Sequence, residues 1–159
     1  MKMMLQQALM VLFVSLALSC SKDPVEAEPF PVAENVPSVE VALLELVNAH
    51  RASQGYAPLS FSQVAYDYAN EHTDYMISTG KISHYNFSAR ASSIAKVVNA
   101  QAVAENLAKD YPSAKKALKG WLSSDSHRKT LEGDFSHTAI SVKRDSNGTL
   151  FFNQLFYLK

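Results

Sequence analysis

Apolar residues recur at helical spacing in successive segments between Val39 and Leu122, and from Thr138 onward they follow the two-residue spacing of strands. That single change of period constrains the fold most, because helices gathered before strands can bury both sets of apolar faces only as a layered α+β domain. Val39, Leu43, Leu46, Val47 and His50 mark a first helix, with Ser38 placed to cap its start and Gly55 to supply a left-handed stop. Ser62 can cap a second helix whose inner face reads Val64, Ala65, Tyr68, Ala69, His72, Tyr75 and Met76, closed by Gly80. The spacing predicts a short third helix over 91–98, ending near Asn99, and a fourth over 113–122 with Ala114, Ala117, Leu118 and Trp121 inward. Residues 139–143 and 150–157 read as two strands joined by the turn Asp145-Ser146-Asn147-Gly148. The short apolar stretch 101–104 could add another strand, with a helix or a loop close behind at that length.

The first 37 residues belong to another regime. Lys2 precedes an apolar run from Ala8 to Leu18, broken only by Ser15. The run is shorter than the roughly 20 apolar residues needed to span a bilayer, and it reads as a signal segment over 1–19. Leu16-Ala17-Leu18-Ser19-Cys20 resembles a bacterial lipobox, which makes Cys20 the expected lipidation site and new N-terminus. Acyl chains there would hold the protein on a membrane at about 0.8 kcal/mol per buried CH₂. Residues 20–37 hold four of the six prolines and four acids against Lys22 alone, the composition of an extended tether, which leaves residues 38–159 as one domain. Fifteen basic and fifteen acidic side chains balance over the whole chain, so nothing in the charge favours a nucleic-acid partner. The expected location is therefore the cell envelope, with the domain lipid-anchored on a bacterial membrane. One cysteine among 159 residues rules out an intramolecular disulfide and a cysteine-rich zinc site, so the fold stands on packing.

Without a free thiol in the domain, chemistry falls to imidazole, carboxylate or a metal. His84 lies in Ile82-Ser83-His84 just past the Gly80 stop, where a loop can turn a ring toward a cleft. Glu105 opens Glu105-Asn106-Leu107-Ala108 directly after an apolar stretch, so its carboxylate must be paired or at a cleft edge. His127 follows the fourth helix in Ser124-Asp125-Ser126-His127-Arg128, a turn suited to starting another short helix.

In order along the chain stand Leu43-Leu44-x-x-Val47-Asn48-x-x-Arg51, Pro58-Leu59, Ala69-x-x-His72-x-x-x-Met76, Ser83-His84, Glu105-Asn106-Leu107-Ala108, Trp121, and Ser126-His127-Arg128 with Leu131. Phe152-x-Gln154-x-Phe156 closes the series. Together they resemble the CAP superfamily of cysteine-rich secretory proteins, insect antigen 5 and plant pathogenesis-related protein 1, over about residues 39–157. The resemblance implies a three-layer α-β-α sandwich whose cleft gathers two histidines and two glutamates. Position by position, His84 matches the first histidine, Glu105 one glutamate and His127 the second histidine. Ser124 stands where animal and plant members carry the other glutamate, and Ser126 replaces a glycine. Some members bind divalent metal through the two histidines, so Zn²⁺ or another divalent ion held by His84 and His127 is an expectation of the resemblance.

Other readings of the same residues are structural. Glu105 can serve to pair Arg128 or cap backbone, His72 faces the side of Tyr68, Tyr75 and Met76 and reads as core, and His50 and His137 read as packing or solvent histidines. Ser126 beside His127 suggests a nucleophile and base, but adjacency alone makes no triad. Three functions follow as expectations. One is an envelope-anchored binding module whose cleft of His84, Glu105 and His127 takes a small ligand, glycan, lipid or peptide. Another is a protease-like hydrolase with those three residues as its catalytic groups. The third is an interaction module that docks another envelope protein and has a vestigial cleft.

Overall fold

Residues 33–159 are described in the computed structural model, so the signal segment, Cys20 and most of the tether fall outside them. Helix α1 (Pro37–Ser53) begins one residue ahead of Ser38 and uses no side-chain cap. Pro37 takes the first helical position, where its fixed φ suits the turn and its missing N–H leaves nothing unsatisfied. The Val36 carbonyl accepts from the Val39 and Glu40 amides in place of the expected serine cap. Helix α2 (Gln63–Thr79) follows its sequence signals: Ser62 Oγ accepts from the Ala65 amide at 3.2 Å, and Gly80 closes it at φ 67°. Helix α3 (Phe87–Val98) starts four residues before the expected Ala91, behind Asn86 in the left-handed region, and ends at left-handed Asn99. Helices α4 (Ala114–Leu122) and α5 (Asp125–Leu131) complete the set, α4 capped by Ser113.

Strands β1 (Ser60–Phe61), β2 (Ala102–Lys109), β3 (His137–Arg144) and β4 (Leu150–Leu158) form one sheet in the order β1-β3-β4-β2. β1 pairs parallel to β3, and the other pairings are antiparallel. The ambiguous stretch around 101–104 is thus the start of an eight-residue strand that carries Glu105 to Ala108. It is pinned along β4 in the register Ala102↔Leu158 to Lys109↔Phe151.

Helices cover both faces of this sheet. On one, Leu43 and Val47 of α1 and Ala117, Leu118 and Trp121 of α4 pack on Ile140, Val142, Phe152 and Phe156. On the other, Ala65 and Ala69 of α2 and Ile94 of α3 pack on Ala139, Leu155 and Tyr157. Alternate residues of β4 therefore serve opposite cores, which explains why it is apolar on both sides. The arrangement is the α+β three-layer sandwich anticipated from the sequence. Trp121 is buried as expected, and its Nε1 donates to the Leu107 carbonyl at 3.0 Å.

The packed unit begins upstream of residue 38. Val36 N donates to Val142 O at 2.8 Å, Asn35 bridges to Lys143, and Ala33 N donates to Asp74 Oδ1 at 3.1 Å. Asn35 also donates to buried Glu40, whose carboxylate receives the Val142 amide and the Tyr66 hydroxyl. The stretch 33–36 finds its hydrogen-bond partners on the domain, so it packs where a solvated tether was expected.

Candidate functional site

Gly80 ends α2 and releases the chain into a tight turn before α3, and that turn carries His84. It is held from beneath. His72, 4% exposed on α2, donates from Nε2 to the Ser83 carbonyl at 2.6 Å. Burial first, then the positive charge of Arg90, holds the His72 pKa below its ordinary value, so the ring stays neutral and acts as a fixed peg. Within the turn, Ser83 Oγ accepts from the Tyr85 amide and the His84 carbonyl from the Phe87 amide.

From this turn His84 Nδ1 reaches Glu105 Oε2 on β2 at 2.8 Å. The two partners are unlike: the His84 side chain is 57% exposed and that of Glu105 only 1%. The other carboxylate oxygen, Oε1, accepts from Arg90 Nη2 at 2.7 Å, and Arg90 Nη1 donates to the Tyr85 carbonyl. A carboxylate this deep needs a countercharge, and α3 provides it one helical turn ahead of buried Ile94. Arg128, the partner considered from sequence, instead pairs with Asp125 at 2.8 Å on the exposed side of α5. Arg90 is the site residue that sequence reasoning missed. Its signal was its place four residues before Ile94 on the inward stripe of an amphipathic helix.

His127 approaches the same strand from the opposite side. Successive strand residues point to opposite faces, so while Glu105 meets His84 and Arg90, Asn106 donates to the His127 carbonyl at 3.0 Å. Burial, and secondarily the charge of His84, lowers the His127 pKa. The rings are thus electrostatic neighbours across the β2 edge. No hydrogen bond joins His127 to Glu105 among the described residues; His127 Nδ1 meets Ser124 Oγ at 2.8 Å. Among the described residues, the hydroxyl of Ser126, the neighbour considered as a nucleophile, meets only Ser124 Oγ, at 3.2 Å. The remaining histidines lie apart: His50 pairs with Glu132 at 2.9 Å, and His137 stacks on Tyr157 at 4.7 Å.

Chemically, the Glu105 carboxylate accepts from His84 Nδ1 and so orients the ring, which leaves Nε2 as the nitrogen without a hydrogen bond among the described residues. The carboxylate itself has both oxygens engaged and cannot reach a substrate as a base. For the same reason it is a poor metal ligand, with Arg90 beside it. Two imidazole Nε2 atoms fall short of the three protein ligands of a catalytic zinc site, and no group of three His, Cys, Asp or Glu side chains among the described residues is placed to hold a metal ion. A divalent ion of the kind the resemblance implied through His84 and His127 would need water or an outside ligand to complete its coordination. Beside the pair, between α2 and α3, opens a cavity of about 320 Å³ lined by Tyr68, Glu71, Tyr75, Tyr85 and Arg90 among others. It shares Arg90 with the site but is not lined by His84, Glu105 or His127.

A sequence profile of the cysteine-rich secretory protein family, CAP, matches residues 44–157. The chain belongs to the CAP family. The matched span runs from α1 through β4 and includes His84, Glu105 and His127. In sequence this CAP domain is 30% identical over 109 residues to an uncharacterized membrane protein, YlbC, of Bacillus subtilis (strain 168). The alignment covers 66% of this chain and 32% of that relative, so the chain spans about a third of its length. Among solved structures it is similar to an outer surface protein of Borrelia burgdorferi, with a TM-score of 0.71 and 18% identity over 80% of this chain and 98% of that one. An extracellular protein containing an SCP domain from Bacillus anthracis gives a TM-score of 0.67 at 24% identity, covering 77% and 41%. A cysteine-rich secretory protein of Staphylococcus aureus gives 0.66 at 20%, covering 81% and 40%. These likenesses establish the fold. Among the described residues of this chain, no helix is long and apolar enough to cross a membrane.

Proposed function

We propose that this CAP domain is a binding module of the bacterial envelope, held on the membrane through acylated Cys20, and that it receives a small ligand at His84 without turning it over. The observation that carries the reading is the disposition of Glu105. Its buried carboxylate is neutralised by Arg90 and spends its other oxygen on His84, whose side chain is more than half exposed. Such a pair presents an oriented hydrogen-bonding imidazole, whereas acid–base hydrolysis at His84 would require a second carboxylic acid beside it. Ser124 occupies the place of that acid and bonds His127 through Nδ1. His127 Nε2 has no carboxylate to complete a triad among the described residues.

Two measurements test this. Palmitate labelling of the full chain in cells should mark the wild type and vanish in Cys20→Ala, with the protein moving from the membrane to the soluble fraction. Purified Cys20→Ala protein should then be titrated with glycan, lipid and peptide fractions of the envelope while the ring signals of His84 and His127 are followed. Binding appears as saturable shifts without new products. Turnover of any fraction that disappears in His84→Ala would establish the hydrolase instead.

A further inference from the structure

We infer that the cavity between α2 and α3 is a carbohydrate subsite that takes one or two rings of a neutral oligosaccharide. The turn that sends His84 to Glu105 sends the next residue the other way, and Tyr85, 61% exposed, lies over Tyr75 with ring centroids 5.0 Å apart and planes at 19°. Tyr75 lies in turn on His72 at 5.6 Å and 15°. The wall is therefore a ladder of near-parallel rings rather than a cage of crossed ones. A sugar ring offers the complement, since one face is a sheet of C–H bonds that packs on an aromatic plane while its hydroxyls point outward to polar groups.

Those polar groups stand at the rim. Glu71, Asn86 and Ser93 line the cavity, and none has a side-chain hydrogen bond to another described residue. Glu71 can accept from two adjacent hydroxyls, while the amide of Asn86 and the hydroxyl of Ser93 can donate and accept. Asn86 is held there in the left-handed region at φ 55°, a conformation that asparagine tolerates better than most residues. Charge argues against an anion. The only fixed cation in the lining, Arg90, is committed to Glu105 and the Tyr85 carbonyl, which leaves Glu71 as the uncompensated charge. A volume of about 320 Å³ lies at the lower end of small-ligand sites and suits a short saccharide.

This subsite is separate from the His84 site proposed above, though the same turn positions both. Its test uses the Cys20→Ala chain and three probes, maltotriose, cellotriose and the N-acetylglucosamine trimer, at millimolar concentration. Backbone amide shifts should move saturably for Tyr85, Asn86, Ala89 and Ser93 with at least one probe. Tyr85→Ala should weaken that binding about tenfold or more, and Tyr85→Phe, which keeps the ring, should leave it nearly intact. Glu71→Gln should weaken it by a smaller factor. No saturable shift with any probe, shifts that map elsewhere, or affinity indifferent to Tyr85→Ala would overturn the subsite. Binding of tetramethylammonium in place of every sugar would also overturn it, in favour of a cation held by the tyrosine faces. Shifts of the His84 and His127 ring signals report on the other site, so each reading can fail alone.

Discussion

Replacing Glu105 by glutamine isolates what the buried charge contributes. The side chains of Arg90 and Glu105 are 8% and 1% exposed and meet at 2.7 Å, so this ion pair belongs with interior pairs rather than surface ones. Glutamine keeps the shape but turns an N–H toward either Arg90 or His84, and leaves a guanidinium in the interior without its countercharge. Removing one member of a buried pair typically costs about 3–5 kcal/mol. In urea, where small domains have slopes of about 1–3 kcal/mol per M, the midpoint should fall by at least about 1 M with the slope unchanged. Asp125→Asn provides the contrast: its pair with Arg128 is 81% and 45% exposed, and its loss should cost no more than about 1 kcal/mol. In Arg90→Met/Glu105→Leu both charges are gone and the space is filled, so much of the stability should return. If Glu105→Gln costs less than about 1 kcal/mol, or the double variant is as unstable as the sum of its singles, the pair is not an interior keystone.

Histidine titration supplies a second prediction. Burial lowers the pKa values of both His72 and His127, so the unfolded chain takes up protons near the ordinary value of about 6.5 while the folded chain does not. Stability should be full above about pH 6.5 and decline as the pH falls through the lower folded values; ring-proton NMR that finds His127 titrating at or above about 6.5 would refute this. His84→Ala removes the secondary cause, so the His127 pKa should rise part of the way while burial keeps it low. Arg51, 2% exposed, donates to the carbonyls of Ala57, Leu131, Gly133 and Phe135. Arg51→Met should destabilise by about 3 kcal/mol or more in urea unfolding, because those acceptors lose their donor in the interior.

What was legible in advance follows the range of the interactions involved. Ser62, Gly80, Ser113 and the Asp145–Gly148 turn act within a few residues, and each does in the structure what its local chemistry predicts. β2 was only half legible because Ala102 to Lys109 neither alternates nor runs continuously apolar. Its length is set by the ladder to β4, a partner far along the chain. The early start of α3 escaped for a related reason: Asn86 offers no side-chain cap, and the helix is fixed by the packing of Arg90 and Ile94. At the site, the resemblance identified His84 and Glu105 and the fold brings them into contact, but the cation that makes Glu105 tolerable in the interior sits on a separate helix. Nothing near Glu105 in the chain announces it. The aromatic cavity was invisible for the opposite reason, since Tyr75 reads as ordinary helix packing until Tyr85 is seen lying over it.

The antiparallel bridge of Asn35 to Lys143, backed by Val36 on Val142 and by Asp74 between Ala33 and Lys143, has a mechanical consequence. Tension arriving from the upstream chain meets the end of β3 before it meets the first turn of α1. A pull on residues before Ala33 would load that bridge first, and the helix behind it would feel force only after those bonds had parted.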